Sequence, residues 1–230
     1  MAKLNIGVIG SGNIGGELAR HLAELGHDVL VANSRGPSTL AKFAEETGAS
    51  ASTVEEAAKA RDIVIVSIPQ KAIEQLPKGL FAGSSAVIVD TGNYYPARDG
   101  RIAAIEEGLT ESEWTSRVLG HPVVKAFNNI AADSLARRGV PKGTPGRICL
   151  PVAGDSEDEK KIVLELIDEL GFDAIDAGTL HESWRQQPGT PAYTRDFDAS
   201  SLPSALQSAE PDKVQAYREA ANEAARAYFS

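Results

Sequence analysis

The chain has little of what several protein classes require. Its 230 residues include a single cysteine, Cys149, which excludes an intramolecular disulfide. Nowhere do about 18 apolar residues follow one another, so the sequence predicts no membrane span. Lys and Arg number 23 against 32 Asp and Glu, and the net charge of -9 argues against a nucleic-acid or anionic-membrane partner. The four histidines and the cysteine lack metal-ligand spacing, so no metal site is predicted.

The composition that remains is typical of a folded globular protein, with 42% apolar and 24% charged residues. The chain enters a predicted strand within its first few residues, without a charged and then apolar leader. We therefore expect a cytoplasmic protein.

Predicted strands and helices alternate along the chain. Short apolar runs that predict strands occupy 4–9, 28–32, 63–68, 86–90 and 122–126. Helical patterns fall between them, and the first carries Leu18 and Leu22 before Gly26 ends it. Capping-box pairs at Thr53 and Thr110 mark two further helix starts. This alternation predicts an α/β fold of the Rossmann type, with a doubly wound parallel sheet.

A turn-rich stretch at 141–146 is the best candidate domain boundary. It predicts an NAD(P)-binding Rossmann domain at 1–144 and a smaller C-terminal α/β extension at 145–230. The extension contains predicted strands at 148–153 and 173–177 around a helix, a predicted loop at 186–204, and an alanine-rich terminal helix at 212–228. Small residues on that helix would allow close packing and could serve a homodimer.

The glycine-rich turn is the strongest functional signal. It fits the pattern G-x-G-x-x-G, with Gly10, Ser11, Gly12, Asn13, Ile14 and Gly15. The pattern follows the first predicted strand and precedes an amphipathic helix, which is the context of a dinucleotide site. The first glycine permits the tight turn, the second lets the pyrophosphate approach, and the third lets helix and strand pack closely. The helix N-terminus would attract the phosphates.

The end of the second strand favours NADP(H) over NAD(H). NAD-binding units usually place Asp or Glu there, ~20 residues after the glycines, to hold the ribose. This chain has Asn33, Ser34 and Arg35 instead, with Thr39 and Lys42 close behind. A carboxylate would repel a 2′-phosphate, whereas a guanidinium can pair with it through two hydrogen bonds. The alternative is that Arg35 is an ordinary solvated loop residue.

These motifs resemble a known family. The chain is similar to the NADP oxidoreductases that depend on the deazaflavin coenzyme F420, and to the related N-terminal reductase domain of six-transmembrane ferric reductases. The resemblance runs from Lys3 to about Tyr193. Its segments are 7–20, 33–35, 66–69, 123–128 and 176–180, of which the last two are the most specific.

The resemblance implies the following cofactor contacts. Ser34 and Arg35 would hold the 2′-phosphate, and the residues after the fourth strand would line the path between the two riboses. The nicotinamide would be bordered by the ends of two later strands. The residues of these regions that the resemblance implies are Ser67, Ile68, Pro69, Ala126, Asn128, Ala177, Gly178 and Leu180. The reaction implied is hydride transfer between the nicotinamide and a flavin or deazaflavin co-substrate, a small planar acceptor.

Two segments depart from the family. The stretch 91–96 is larger and more aromatic than its archaeal counterpart, and the tail after Gln186 differs. The resemblance therefore does not identify the acceptor.

Hydride transfer between stacked rings needs little side-chain chemistry, because the cofactors carry the reaction. An alcohol or ketone substrate would need an acid or base at its oxygen. The pocket candidates for such roles, or for walling a ring, are Lys125, Asn128, Tyr94, Tyr95 and His181. Each has an ordinary structural alternative, such as an ion-paired lysine or a packed tyrosine.

The sequence leaves two other functions open. A dehydrogenase of small metabolites, of the β-hydroxyacid or imine-reductase type, would share the glycine turn but usually carries a long helical C-terminal domain. Only about 85 residues follow Pro145 here. A non-catalytic NADP sensor would bind NADPH without turnover.

Overall fold

The computed structural model describes residues 2–229. The strands are β1 (Asn5–Ile9), β2 (Asp28–Ala32), β3 (Ser50–Ala51), β4 (Ile63–Val66), β5 (Val87–Asp90), β6 (Val124–Lys125), β7 (Cys149–Val152) and β8 (Asp173–Asp176). The α-helices are α1 (Asn13–Glu24), α2 (Ala41–Thr47), α3 (Val54–Ala57), α4 (Gln70–Ile73), α5 (Pro96–Asp99), α6 (Ala103–Glu106), α7 (Glu111–Leu119), α8 (Ala132–Arg137), α9 (Glu157–Glu169), α10 (Leu202–Gln207) and α11 (Val214–Ala225). Segments of 3₁₀ helix cover Pro37–Leu40, Leu180–Gln186, Pro211–Lys213 and Arg226–Tyr228.

The main sheet has six parallel strands in the order β3-β2-β1-β4-β5-β6. The chain starts at the centre with β1, winds outward to β3, and then returns to β4 on the other side of β1. Ile6 of β1 is aligned with Val29 of β2 and with Ile63 of β4. The predicted Rossmann sheet is confirmed, and its topological switch point lies between β1 and β4, where such sheets bind dinucleotides.

Strands β7 and β8 form a second, two-stranded parallel sheet beside the main sheet. An antiparallel bridge joins them to it, because the backbone groups of Lys125 and Ala153 exchange hydrogen bonds of 2.8 and 3.0 Å. One hydrophobic cluster runs across the junction, from Val124 at the sheet edge to Val152 and Leu166 in the C-terminal part. The predicted boundary at 141–146 is a turn on the surface of this shared core.

Helix α1 illustrates how the sequence places the layers. Leu18 and Leu22 are fully buried against the sheet, and Gly26 ends the helix with a positive φ of 91°. The two predicted capping boxes are present, and Thr110 and Glu113 hold the start of α7. The terminal helix is confirmed as α11, with a turn of 3₁₀ helix at each end. No helix within residues 2–229 combines the length and apolarity that crossing a membrane requires.

Some elements differ from the sequence prediction. The helical segment after β2 begins as the 3₁₀ turn Pro37–Leu40 and continues as α2, because Gly36 and Pro37 direct the chain around the end of β2. The predicted strand at 122–126 is only Val124–Lys125, since β6 pairs with the main sheet over two residues. The predicted loop at 186–204 ends in the short helix α10, whose apolar side chains pack against Cys149.

Candidate functional site

A groove lies across the carboxyl ends of β1, β2 and β4. Its volume is about 680 Å³. Nine residues of the predicted cofactor set line it: Gly10, Ser11, Gly12, Asn33, Ser34, Arg35, Ser67, Ile68 and Pro69. The turn after β1, the end of β2 and the end of β4 thus meet on one surface, as the parallel order of the strands requires.

The three glycines of the turn differ in whether the fold leaves room for a side chain. A Cβ on Gly10, where φ is +115°, would stand 2.1 Å from the carbonyl oxygen of Ser67. A Cβ on Gly15 would stand 2.0 Å from the carbonyl oxygen of Gly10. A Cβ on Gly12 would meet nothing within 4 Å, and its φ of -77° suits any residue. The fold therefore requires Gly10 and Gly15, whereas the bare backbone at Gly12 leaves room that an approaching ligand would use.

The turn after β2 is held by the side chain of Asn33. Its Oδ1 accepts a hydrogen bond of 2.9 Å from the backbone N–H of Arg35, and its Nδ2 donates to the hydroxyl of Thr39 at 3.0 Å. The hydroxyl of Thr39 in turn donates to the carbonyl of Gly36 at 2.8 Å. The side chain of Arg35 is exposed at the groove and has no ion pair within residues 2–229. A cation without a protein partner at this position is suited to a phosphate.

Sequence reasoning missed the opposite wall of the groove. This wall is formed by Thr53, Val54 and Glu55 at the start of α3, and by Ala72, Gln75, Leu76 and Pro77 in and after α4. The capping box at Thr53 marked a helix start, but nothing in the local pattern indicated that this start faces the turn after β1. That relationship follows only from the sheet order.

Eight predicted contact residues lie outside the lining of the groove: Asn13, Ile14, Gly15, Ala126, Asn128, Ala177, Gly178 and Leu180. Asn13 is exposed as the first residue of α1, and the partly buried Ile14 packs against the main core cluster. Ala126, immediately after β6, is fully buried in the same cluster. The side chain of Ala126 therefore contributes to the core, and only its backbone could border a ligand.

Asn128 connects the main sheet to the C-terminal part. Its Nδ2 donates to Oδ1 of Asn93 at 3.1 Å and to the carbonyl of Gln186 at 2.7 Å, while its Oδ1 accepts from Nε2 of Gln186 at 2.9 Å. The amide of Asn93 donates to the carbonyl of Asn128 at 2.9 Å. Because both amide hydrogens of Asn128 are donated to protein acceptors, its side chain has a structural role beside the carboxyl ends of β5 and β6.

Lys125 corrects the sequence interpretation. It was a candidate for the open pocket, but its side chain is fully buried and its Nζ donates to the carbonyl of Gly92. The Nζ also lies 3.6 Å from Asp90 and 3.8 Å from Glu111, both buried. A buried ammonium requires such partners, and they keep it away from any substrate. No apolar period or spacing in the sequence revealed this burial.

Glu111 is an unusual member of this buried cluster. Desolvation by burial raises the pKa of its carboxyl to about 7, although the charge of Lys125 opposes the change. Asp90 is fully hydrogen-bonded, because it accepts from the backbone N–H of Gly92 at 2.8 Å and from the hydroxyl of Ser112 at 2.7 Å. The cluster therefore contains the carboxylate of Asp90, whose two oxygens both accept hydrogen bonds, and the carboxyl of Glu111, whose ionisation is opposed by burial.

The two neighbouring tyrosines have different environments. Tyr94 is fully buried, and its hydroxyl bonds to the carboxylate of Glu106 at 2.9 Å, so the interpretation of Tyr94 as a pocket wall is wrong. Desolvation raises the pKa of Tyr94 to about 12. Tyr95 lines a second cavity, where its hydroxyl lies 2.6 Å from that of Tyr193. His181 is exposed and hydrogen-bonded to Glu113 at 3.0 Å, away from the groove.

The loop after β8 lies beside the end of β7. Gly178, with a φ of +95°, accepts a backbone hydrogen bond of 3.0 Å from Gly154, and Ala177 packs against a small apolar cluster around Cys149. Leu180 is buried in the core cluster that also contains Trp114. The role of these three residues at the nicotinamide remains a prediction from the resemblance.

Comparison with protein families identifies the N-terminal part of the chain. The model of the family described as NADP oxidoreductase, coenzyme F420-dependent, matches residues 5–94. These residues include β1 to β5 and every residue that lines the groove.

Comparison with individual proteins extends the match. The hypothetical protein SMa0349 of Sinorhizobium meliloti is 32% identical, with a TM-score of 0.71, over 85% of this chain and 96% of that protein. The protein YjhV of Escherichia coli (strain K12) is 40% identical over 63 residues, which are 27% of this chain and about half (46%) of the length of that curated relative. A protein of Arthrobacter sp. FB24, proposed to be an F420-dependent NADP reductase, shares the fold at 22% identity and a TM-score of 0.65, over 78% of this chain and 87% of that one.

Proposed function

Since the chain belongs to the family of coenzyme F420-dependent NADP oxidoreductases, we propose that it transfers hydride between NADP(H) and a planar, flavin-like or deazaflavin acceptor. Bound NADPH would supply a hydride from its nicotinamide to a ring stacked on it. The remaining work of the protein is to bind the cofactor, orient it and keep water out of the contact between the rings.

The observation that carries the proposal is the contrast among the three glycines. Gly10 and Gly15 are required by the fold, whereas Gly12 has no internal contact that excludes a side chain. Its bare backbone, at the N-terminus of the 12-residue helix α1, suits the approach of a diphosphate. Gly12 and the unpaired cation Arg35 line the same groove, which fits a dinucleotide with a 2′-phosphate.

The fixed position of Arg35 would determine the choice of cofactor. Asn33 fastens the turn through the backbone N–H of Arg35, and Ser34 adds a hydroxyl beside it. Ser67, Ile68 and Pro69 would support the middle of the cofactor from the end of β4. We infer that the nicotinamide lies toward β5 and β6, over a floor formed by Asn93 and Asn128, which are hydrogen-bonded to each other beside the carboxyl ends of these strands.

The surroundings of that floor favour a ring acceptor over an alcohol or imine substrate. A metabolite dehydrogenase needs a proton donor or acceptor that reaches the reacting oxygen or nitrogen. Lys125 is buried against carboxylates, both amide hydrogens of Asn128 are committed, and His181 is tied to Glu113 outside the groove. None of these three side chains is in a position to serve a substrate, and of the candidates only Tyr95 keeps a hydroxyl at a cavity. Hydride transfer between rings requires no such group.

The experiment is a pair of titrations followed by an acceptor screen. NADPH and NADH are each titrated into the wild-type chain and into Arg35→Ala. Loss of a charge-assisted contact to phosphate should weaken NADPH by about tenfold to a hundredfold and leave NADH nearly unchanged. Equal losses would overturn the assignment to NADP. Oxidation of bound NADPH is then followed with flavins, deazaflavin, quinones and ferric chelates, and turnover of a β-hydroxyacid or imine instead would overturn the proposed acceptor class.

A further inference from the structure

The C-terminal tail builds a second cavity that the cofactor groove does not use. Its volume is about 720 Å³, within the usual range for a small-molecule site. One wall is aromatic, with Tyr95, Tyr193 and Phe229, and the other is the small-residue face of α11, with Ala221 and Ala224. Larger side chains on that face would fill the space.

The cavity is held open by specific contacts of α11. The side chain of Asn222 accepts a hydrogen bond of 2.8 Å from the backbone N–H of Ala97, and Arg218 pairs with Glu106 at 3.1 Å. On the other side, Gly189 approaches the helix so closely that a Cβ would stand 2.1 Å from the carbonyl oxygen of Tyr217. These contacts fix the distance between α11 and the aromatic wall.

The aromatic wall has a free hydrogen-bond donor. The hydroxyls of Tyr95 and Tyr193 lie 2.6 Å apart, and Nδ2 of Asn93 donates to the hydroxyl of Tyr193 at 3.3 Å. Desolvation by burial raises the pKa of both phenols, so each keeps its hydrogen at neutral pH. One hydrogen joins the two oxygens, and within residues 2–229 the other has no acceptor. It is available to an oxygen or ring nitrogen of a ligand.

The cavity also has a free cation at its edge. Arg195 is the one charged residue among the described residues that line it. Its neighbour Asp196 is already paired with Arg138 at 2.6 Å, and Arg195 itself forms no ion pair within residues 2–229. Arg98, which stacks behind the rings of Tyr95 and Phe229, is neutralised by Asp99 at 2.8 Å. In a chain with a net charge of -9, an unpaired arginine beside an aromatic cavity selects for an anion.

We propose that this cavity is the acceptor site, and that it takes a planar aromatic molecule carrying an acidic group, with the ring against Tyr95 and Phe229 and the acid on Arg195. Asn93 follows β5 at the carboxyl edge of the sheet and contacts both Asn128 and Tyr193, so it would connect the cavity to the nicotinamide end of the proposed cofactor site. The role of the ligand as hydride acceptor rests on the proposed function. The binding of the ligand to the cavity can be measured without turnover.

The test compares two probes that share a ring and differ in one acid. FMN and riboflavin are titrated with the full chain in the presence of saturating NADP⁺, and quenching of flavin fluorescence reports binding. We expect FMN to bind more tightly by about tenfold, the effect of one charge-assisted contact, and Arg195→Gln to abolish the difference. Equal affinities of the wild-type chain for both probes, or no quenching, would overturn the proposal.

Two variants of α11 locate the binding. Ala224 is exposed and lines the cavity, so Ala224→Trp fills it without disturbing the core and should weaken both flavins by more than about tenfold. Ala220 is exposed on the same helix but outside the lining, and Ala220→Trp should leave both affinities unchanged. Unchanged binding to Ala224→Trp would place the flavin elsewhere and refute the site. A separate NADP⁺ titration of each variant tells this failure from a failure of the cofactor assignment.

Discussion

The carbonyl oxygen of Gly10 lies 2.0 Å from the position that a Cβ on Gly15 would occupy. The turn after β1 and the first turn of α1 therefore touch through bare backbone. This contact sets the direction in which α1 leaves the sheet, and with it the direction of the free N–H groups at its start. Gly12 lies between these two glycines and has no comparable contact.

This relationship predicts opposite effects of one substitution at two positions. Gly15→Ala should lower the free energy of unfolding by about 1–3 kcal/mol, because a methyl group must displace backbone. Gly12→Ala should cost less than about 1 kcal/mol in stability, yet weaken NADPH strongly, because Gly12 lines the groove and the diphosphate would approach its bare backbone. Chemical denaturation and NADPH titration of both variants check this. Normal NADPH affinity in Gly12→Ala would show that no diphosphate approaches there.

The hydroxyl of Thr39 should contribute to NADPH affinity although Thr39 is not among the residues that line the groove. It ties Asn33 to the carbonyl of Gly36 and so fixes the turn that carries Arg35. Thr39→Val keeps the shape but removes these bonds, and we expect roughly a threefold to tenfold loss of NADPH affinity with little change for NADH.

Thr39→Ser restores the hydroxyl and should restore the affinity. A loss in Thr39→Ser equal to that in Thr39→Val would assign the effect to the methyl group instead. Isothermal titration calorimetry of the three proteins with both cofactors separates these outcomes.

The cofactor groove was predictable because its signals are local. A glycine pattern between a strand and a helix, and a basic turn after the next strand, each depend on a few adjacent residues. The sheet order then brings them together in the only way that parallel right-handed connections allow. The groove therefore contains Gly10, Arg35 and Pro69 as predicted, whereas its far wall at Thr53 was invisible until the strands were ordered.

The region after β5 and β6, where the resemblance places the nicotinamide, was less predictable because its contacts join distant parts of the chain. In the sequence, Lys125 has the pattern of a polar residue at the end of a strand. Only its pairing with Asp90 and the antiparallel bridge to Ala153 explain why it is buried. Asn128 reads as a ligand contact, yet its bonds to Gln186 span 58 residues. Hydrophobic periodicity indicates which face of a strand is apolar, but it does not identify partners that are distant in the sequence.

The same change from asparagine to aspartate should have different effects at the buried Asn128 and at the exposed Asn13. Asn128→Asp replaces two donated hydrogen bonds by repulsion between oxygens inside the core, and should lower the free energy of unfolding by about 3 kcal/mol. Asn13→Asp makes the same chemical change at an exposed helix start, where a negative charge stabilises the helix.

Asn13→Asp should therefore leave stability unchanged or slightly raised, while weakening NADPH by repelling its phosphates. The weakening should diminish at high salt, because the charge is exposed to solvent. Thermal unfolding and NADPH titration at two ionic strengths check both variants. A stable Asn128→Asp protein would remove the structural role that we assign to its amide.

The carboxyl of Glu111 should make stability depend on pH in the direction opposite to that of most carboxyl groups. Burial raises its pKa from the ordinary 4.5 to about 7. Between these values the folded chain holds a proton that the unfolded chain has lost. The free energy of unfolding should therefore fall as the pH rises from 4.5 to 7, by on the order of 3 kcal/mol.

Glu111→Gln removes this titration while the pair of Lys125 and Asp90 remains. The variant should lose that part of the pH dependence and be more stable than the wild type at about pH 8. Glu113→Gln is the control of opposite sign. Burial works against ionisation of Glu113, but hydrogen bonds from Thr110 and His181 outweigh it and lower the pKa. The stability that Glu113 contributes is present above its ordinary pKa and is lost as the pH falls. Denaturant unfolding at about pH 5, 6.5 and 8 measures all three proteins, and an unchanged slope in Glu111→Gln would show that this carboxyl stays ionised in the fold.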